Sequence, residues 1–179
     1  MDTAKATGFC CPVEVKPSGG KGLGVFSKAA IKRGDIVWRH VPGLYTVYDE
    51  MGFKKAIKHL SDEEVRYELT HVFGLEDFPE CLIRVFDDGV LINHARDANV
   101  ETNNATPMTK PVYPASPHYV QDVTKMLLDD RYALVATRDI QAGEELTNNY
   151  ETETHEPEFY HVLYEKYGVE EDYLQDDPG

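Results

Sequence analysis

The chain has 179 residues, 41% of them hydrophobic, with 32 Asp+Glu against 18 Lys+Arg and a formal net charge of −14. That length suits one domain with its own core, and no apolar run approaches the ~20 residues that span a bilayer as a helix. The acid excess argues against direct binding to a phosphate backbone, which needs Lys and Arg to replace counterions; it suits a basic partner such as a Lys-rich peptide, and equally a domain that is simply kept soluble.

The start, residues 1–16, has no apolar stretch of signal-peptide length, so an intracellular protein is expected. The three cysteines, Cys10, Cys11 and Cys81, form no CxxC pair. Reduced thiols are expected, with no disulfide framework and no metal site. The pattern Val13–Lys16 predicts a short strand and Pro17–Gly22 a turn. Gly24–Ser27, Ile36–Arg39 and Leu44–Tyr48 read as further short strands, with Arg33-Gly34-Asp35 and Pro42-Gly43 as breaks. Ser61-Asp62-Glu63-Glu64 is a capping box, and Val65, Leu69, Val72 and Phe73 follow at helical spacing, which predicts a helix over 62–73.

Leu82–Phe86 and Val90–Ile92 flank Asp87-Asp88-Gly89 and predict a hairpin. Residues 101–118, rich in Asn, Thr and Pro, predict an irregular excursion. Tyr132–Ala136 reads as a strand. Glu156–Tyr167 reads as a helix, with Pro157 in its first turn and Gly168 as its stop. Residues 151–179 carry ten Asp+Glu and one Lys, so part of the charge is local to that end. Short strands outnumber helices, and a mainly β core is expected.

Three segments could carry chemistry. Gly20-Lys21-Gly22-Leu23-Gly24 is not a P-loop, and the strand-like Val25-Phe26-Ser27 stands where a dinucleotide fingerprint opens a helix. It reads as a hairpin turn, or as backbone free to approach a ligand where no Cβ intervenes. Asn93-His94, at the end of Val90-Leu91-Ile92, is either a pair that satisfies itself and the local backbone or one whose amide and backbone groups read the edge of an adenine. Gly143–Tyr150 reads alone as a turn and a strand with a half-buried tyrosine. His155-Glu156-Pro157-Glu158-Phe159 is not HExxH.

In this order and over this distance, Gly22-Leu23-Gly24-Val25-Phe26-Ser27, then Asn93-His94 with Asn99, then Gly143-Glu144-Glu145-Leu146-Thr147 with Tyr150 resemble the signature segments of the SET-domain protein lysine methyltransferases. Gly34–Arg39 is similar to the opening of small, free-standing members. Ala95, Arg96 and Ala98 depart from the usual Ser, Cys and Pro, and Asn149 stands where Asp often precedes the tyrosine.

The resemblance implies a fold of several small curled β-sheets with a knot-like C-terminal crossing. It implies a division into an N-terminal tail over 1–11, a SET domain over 12–150 with a helical, variable insert at 49–90, and a C-terminal helical segment and acidic tail over 151–179. It implies S-adenosyl-L-methionine as methyl donor and a lysine on a histone or other basic protein as acceptor. Gly22, Leu23, Gly24, Asn93, His94 and Tyr150 would bind the cofactor, and Tyr150 would also be catalytic. A histone-modifying member in a eukaryotic cell would be nuclear, otherwise cytoplasmic. The flanking zinc-binding cysteine clusters of many members are missing. Phe159, Tyr160, Tyr164 and Tyr167 could supply their share of the lysine channel, or could form an ordinary docking helix. A catalytically silent SET-like module that binds a partner also stays open.

Overall fold

The computed structural model describes residues 6–103 and 117–169. Most of the expected excursion over 101–118, the end of the acidic tail beyond 169 and the first five residues lie outside the described residues. In chain order the strands are β1 (Val13–Pro17), β2 (Leu23–Ser27), β3 (Ile36–Trp38), β4 (Tyr45–Tyr48), β5 (Val72–Phe73), β6 (Leu82–Val85), β7 (Asn93–His94), β8 (Val100–Thr102), β9 (Leu134–Ala136) and β10 (Thr147–Asn148). The helices are α1 (Glu50–Ile57), α2 (Asp62–Leu69), α3 (Tyr119–Met126), α4 (Tyr150–Glu153) and α5 (Glu158–Tyr167). The strands form several small sheets, mostly antiparallel, with few helices.

Two compact units divide the chain. The first gathers the described residues within Met1–Tyr45, Val85–Pro107 and Met126–Glu153, the second those within Thr46–Arg84, Met108–Lys125 and Thr154–Gly179.

In the first unit β1 and β2 pair antiparallel, Val13 opposite Ser27 and Pro17 opposite Leu23. The tight turn between them is closed by Ser18 N–H on the Gly22 carbonyl at 2.9 Å, and Gly22 takes φ +76°, a conformation that a side chain disfavours. A second antiparallel sheet runs β3-β9-β8. Val25, Ile31, Val37, Ile92, Val100, Ala136, Ile140 and Leu146 make its core. The expected hairpin around Asp87-Asp88-Gly89 is not formed. Asp87 instead caps a 3-10 helix over Asp88–Leu91, accepting from Gly89 N at 3.0 Å. The same buried carboxylate also takes Trp38 Nε1 at 3.1 Å and Gly8 N at 2.5 Å. An acidic residue with this many donors is drawn off the solvated turn that its neighbours suggest. That turn of helix, rather than a strand, delivers Ile92 into the core and Asn93 beyond it.

His40, in the same unit, is 6% exposed and stands edge-on to Trp38 and Tyr45, with ring centroids 4.7 and 5.0 Å away. Neither ring nitrogen makes a well-formed hydrogen bond among the described residues. Burial pushes the imidazole down to about 4, and the Tyr132 backbone and the Asp87 charge offset only part of that. In the unfolded chain the ring takes its proton near pH 6.5, in the folded chain only near 4. Stability is therefore full above pH 6.5 and falls as the pH drops toward 4, by about 3 kcal/mol for this group. Urea denaturation at pH 7.5 and 4.5 should show this loss in the wild type and a smaller one in His40→Phe.

In the second unit Asp49 caps α1 by accepting from Gly52 N at 2.7 Å. Ser61 and Glu64 form the reciprocal capping box of α2 that the sequence predicts. The helix stops at Leu69, short of the expected 73. Thr70 turns its hydroxyl onto the Tyr67 carbonyl at 2.9 Å, and β-branched Val72 pairs with Arg84 in β5–β6 instead. The third sheet runs β4-β6-β5. Phe53, Ile57, Val65, Leu69, Val72, Leu82, Phe159, Tyr160 and Leu163 pack as one core. Helix α5 ends at Gly168 as expected, but Pro157 is its N-cap rather than part of its first turn. Phe159 and Tyr160 are buried in that core, with Tyr160 Oη donating to the Leu69 carbonyl at 3.1 Å. Tyr164 and Tyr167 pack against it, so all four aromatics dock α5 within this unit.

Candidate functional site

Every residue named from the sequence as cofactor-binding or catalytic falls in the first unit, whereas the four aromatics weighed for a lysine channel fall in the second. Leu23 and Gly24 open β2. Asn93 and His94 form β7, and they pair in parallel with Thr147 and Asn148 of β10. Parallel pairing of two-residue strands needs help from side chains, and Asn99 provides it. Asn99 Nδ2 donates to the Glu145 carbonyl at 2.7 Å, and its Oδ1 accepts from Thr147 N at 3.0 Å. With its backbone N–H on the Thr147 carbonyl at 3.2 Å, Asn99 grips both sides of the 145–147 backbone from a site only 3% exposed. The Asn93-to-Asn99 and Glu145-to-Tyr150 segments thus lie side by side.

This arrangement brings Tyr150 to His94. The Tyr150 N–H donates to His94 Nδ1 at 3.1 Å, and the two rings are 5.5 Å apart. Nδ1 accepts, so the imidazole carries its proton on Nε2 when neutral. The Tyr150 hydroxyl donates to the Ile92 carbonyl at 2.5 Å, and burial pushes its phenol up to about 12. It stays protonated throughout the physiological range. Asn149, the departure before the tyrosine, accepts from Glu151 N at 3.1 Å with its side-chain oxygen, as an Asp there also could. Arg96 stands 3.6 Å from Glu151 in an exposed ion pair worth little by itself.

Asn93 reaches the opposite way, to the glycine segment. Its Nδ2 donates to the Leu23 carbonyl at 3.1 Å and to Glu145 Oε1 at 2.7 Å. Glu145 Oε2 accepts from Ser18 Oγ at 2.7 Å. Lys21 Nζ, at the tip of the β1–β2 turn, donates to the His94 carbonyl at 2.9 Å. Gly24 lies so close that a Cβ there would fall on the Glu145 carboxylate and within 2.9 Å of Asn93 Nδ2. Gly24→Ala should therefore displace Glu145 and cost about 1–3 kcal/mol by overpacking. Urea denaturation measures the expected loss. An alanine chain as stable as wild type would show that the close approach is not needed.

The structure thus brings Leu23, Gly24, Asn93, His94 and Tyr150 together. Gly22 stands one residue away in the turn, with open space where its Cβ would be. Reasoning from sequence gave no role to Glu145, Ser18 or Lys21, and quoted Asn99 only as part of a motif. A glutamate after Gly143-Glu144 reads as a solvated turn residue. Only the antiparallel bridge between Phe26 and Glu145 turns it toward the glycines.

Residues 22–151 match the model of the SET domain. The chain belongs to the SET-domain family, whose members are generally protein lysine methyltransferases that use S-adenosylmethionine. Among solved structures it is similar to a candidate histone methyltransferase of Plasmodium falciparum, with 15% identity and a TM-score of 0.45 over 78% of this chain and 93% of that one. A search of curated proteins gave no match.

Proposed function

We propose that this chain transfers the methyl group of S-adenosylmethionine to the side-chain amine of a lysine in a basic protein. The reading rests above all on the β7–β10 pairing, which sets the Tyr150 N–H on His94 Nδ1 across 56 residues of sequence. The site's groups suit the cofactor. Asn93 Oδ1 and the His94 carbonyl can accept from the amino groups of an amino acid and a purine. The backbone of Gly22 to Gly24 can approach a ligand closely. The His94 carbonyl already accepts from Lys21 and has a second lone pair for a ligand donor, and the ammonium of Lys21 would suit a carboxylate-bearing ligand.

When bound, S-adenosylmethionine supplies a methyl group on a positively charged sulfur, open to in-line displacement by a neutral amine. The chain's part is alignment and exclusion of water. A free lysine has a pKa near ~10.4, so neutralising it at about pH 7.5 costs roughly 4 kcal/mol, which an apolar surrounding reduces by disfavouring the ammonium. With its proton committed to Ile92, the Tyr150 oxygen offers lone pairs to an amine N–H. It orients the nucleophile and takes no proton from it. The net charge of −14 supports a basic acceptor protein, of which a histone tail is one kind.

The test is incubation with isotopically labelled S-adenosylmethionine and a panel of histones and other basic proteins, with any modified lysine mapped by mass spectrometry. Label on a lysine is expected. Binding without transfer would favour the silent module, and no binding would remove the cofactor reading.

A further inference from the structure

We propose that Glu145 is a positioning residue that fixes which end of the Asn93 amide faces the ligand, and so makes the site select a cofactor that carries an α-amino group. The proposal rests on the cofactor reading above. A side-chain amide can present either a carbonyl oxygen or an NH2 group, and its neighbours decide which. At Asn93 the choice is forced. The Leu23 carbonyl can only accept, and it lies 3.1 Å from Nδ2; Glu145 Oε1 lies 2.7 Å from the same nitrogen. Both contacts draw the NH2 group inward, and among the described residues Oδ1 has no donor. Asn93 therefore offers an acceptor, which suits the ammonium of an amino-acid head and not its carboxylate.

Glu145 itself has little freedom to turn away. Ser18 Oγ holds its other oxygen at 2.7 Å, and Asn99 Nδ2 holds its backbone carbonyl at 2.7 Å. The absence of a Cβ on Gly24 leaves room for the carboxylate against the β2 backbone. This is a chain of contacts from the first turn, through the Gly143–Tyr150 segment, to Asn93.

The experiment compares S-adenosylhomocysteine with its analogue lacking the α-amino group, by isothermal titration calorimetry on the full chain, with thermal melts as a check on folding. Wild type should prefer the amino-bearing ligand by about tenfold to a hundredfold, the size of one hydrogen bond to a charged group. Glu145→Ala should reduce that preference several-fold, as only the Leu23 carbonyl is left to hold the NH2 group inward, while the deamino analogue keeps its affinity. Glu145→Gln should retain the preference, since its carbonyl can still accept from Asn93 while its NH2 donates to Ser18.

Should Glu145→Ala fail to fold, Asn93→Asp and the double variant Asn93→Asp/Glu145→Gln decide. Two facing carboxylates should weaken binding, and the glutamine should restore it in part by donating to Asp, since the Leu23 carbonyl still faces an oxygen. Undiminished preference in Glu145→Ala, or no rescue by glutamine, overturns the role of Glu145. If the wild type binds both ligands but equally, the amide orientation is wrong while the cofactor reading stands. If it binds neither, that reading falls and the proposal with it.

Discussion

Tyr150→Phe should fold normally and lose about a hundredfold in methyl transfer, the scale of a reacting pair slightly misplaced. The change removes one oxygen. The ring should keep its position beside His94 and the backbone N–H should still reach His94 Nδ1, so the scaffold of the proposed cofactor site should persist. What is lost is the hydroxyl on the Ile92 carbonyl, which the proposed mechanism uses to orient an incoming amine. The Ile92 carbonyl loses a donor, at a cost of about 1 kcal/mol. Since burial already pushes the phenol up to about 12, no ionised tyrosine is being deleted, and the defect should be equal at pH 7 and pH 9. Single-turnover assays with labelled cofactor measure it. Wild-type turnover in the phenylalanine chain would remove Tyr150 from the mechanism.

Asn99→Ala should have the largest effect on stability. It leaves the Thr147 N–H and the Glu145 carbonyl without their side-chain partner at a position shielded from solvent. Each buried polar group so abandoned costs about 1–3 kcal/mol, so a loss of roughly 2–5 kcal/mol is expected. The damage is not confined to stability. Glu145 and Tyr150 both belong to the segment that Asn99 grips, so cofactor affinity and turnover should fall together. Asn99→Asp keeps the acceptor for Thr147 but sets a carboxylate oxygen against the Glu145 carbonyl, and should rescue little. Chemical denaturation and calorimetry report the two halves separately. A change below about 0.5 kcal/mol would mean that the β7–β10 pair holds itself together.

What the sequence discloses follows from how local each cause is. The capping box at Ser61–Glu64 and the Gly168 stop are settled by residues within one turn, and both stand in the structure as the sequence predicts. The strands β1, β2, β3 and β4 come out within a residue or so of their alternating patterns. The hairpin expected around Asp87 fails because its partners are remote: Gly8 and Trp38 claim the carboxylate across 79 and 49 residues. Helix α2 ends early because Val72 has a strand to join, which no local pattern shows. At the site, glycine, Asn-His and tyrosine could be named from the order of three motifs. Their geometry depends on Glu145 and Asn99, whose side chains look like solvated turn residues until the backbone crosses. Lys21, beside the glycines, gave no signal of its reach to the His94 carbonyl.

The parallel contact between β7 and β10 has a kinetic corollary. Thr147 meets Asn93 across 54 positions of sequence. Closing a loop of that length costs about 3.5 kcal/mol from its logarithmic dependence alone, and a ladder two residues long returns little of it. The burial of Val25, Ile92 and Leu146 must therefore come first or at the same moment. A nascent chain that has emerged only as far as Leu134 already contains Gly24 and Asn93, yet it lacks Glu145, which accepts from the Asn93 amide, and Tyr150, which meets the imidazole. The proposed site is thus completed late, when β10 pairs with β7, and not when the first two motifs are made.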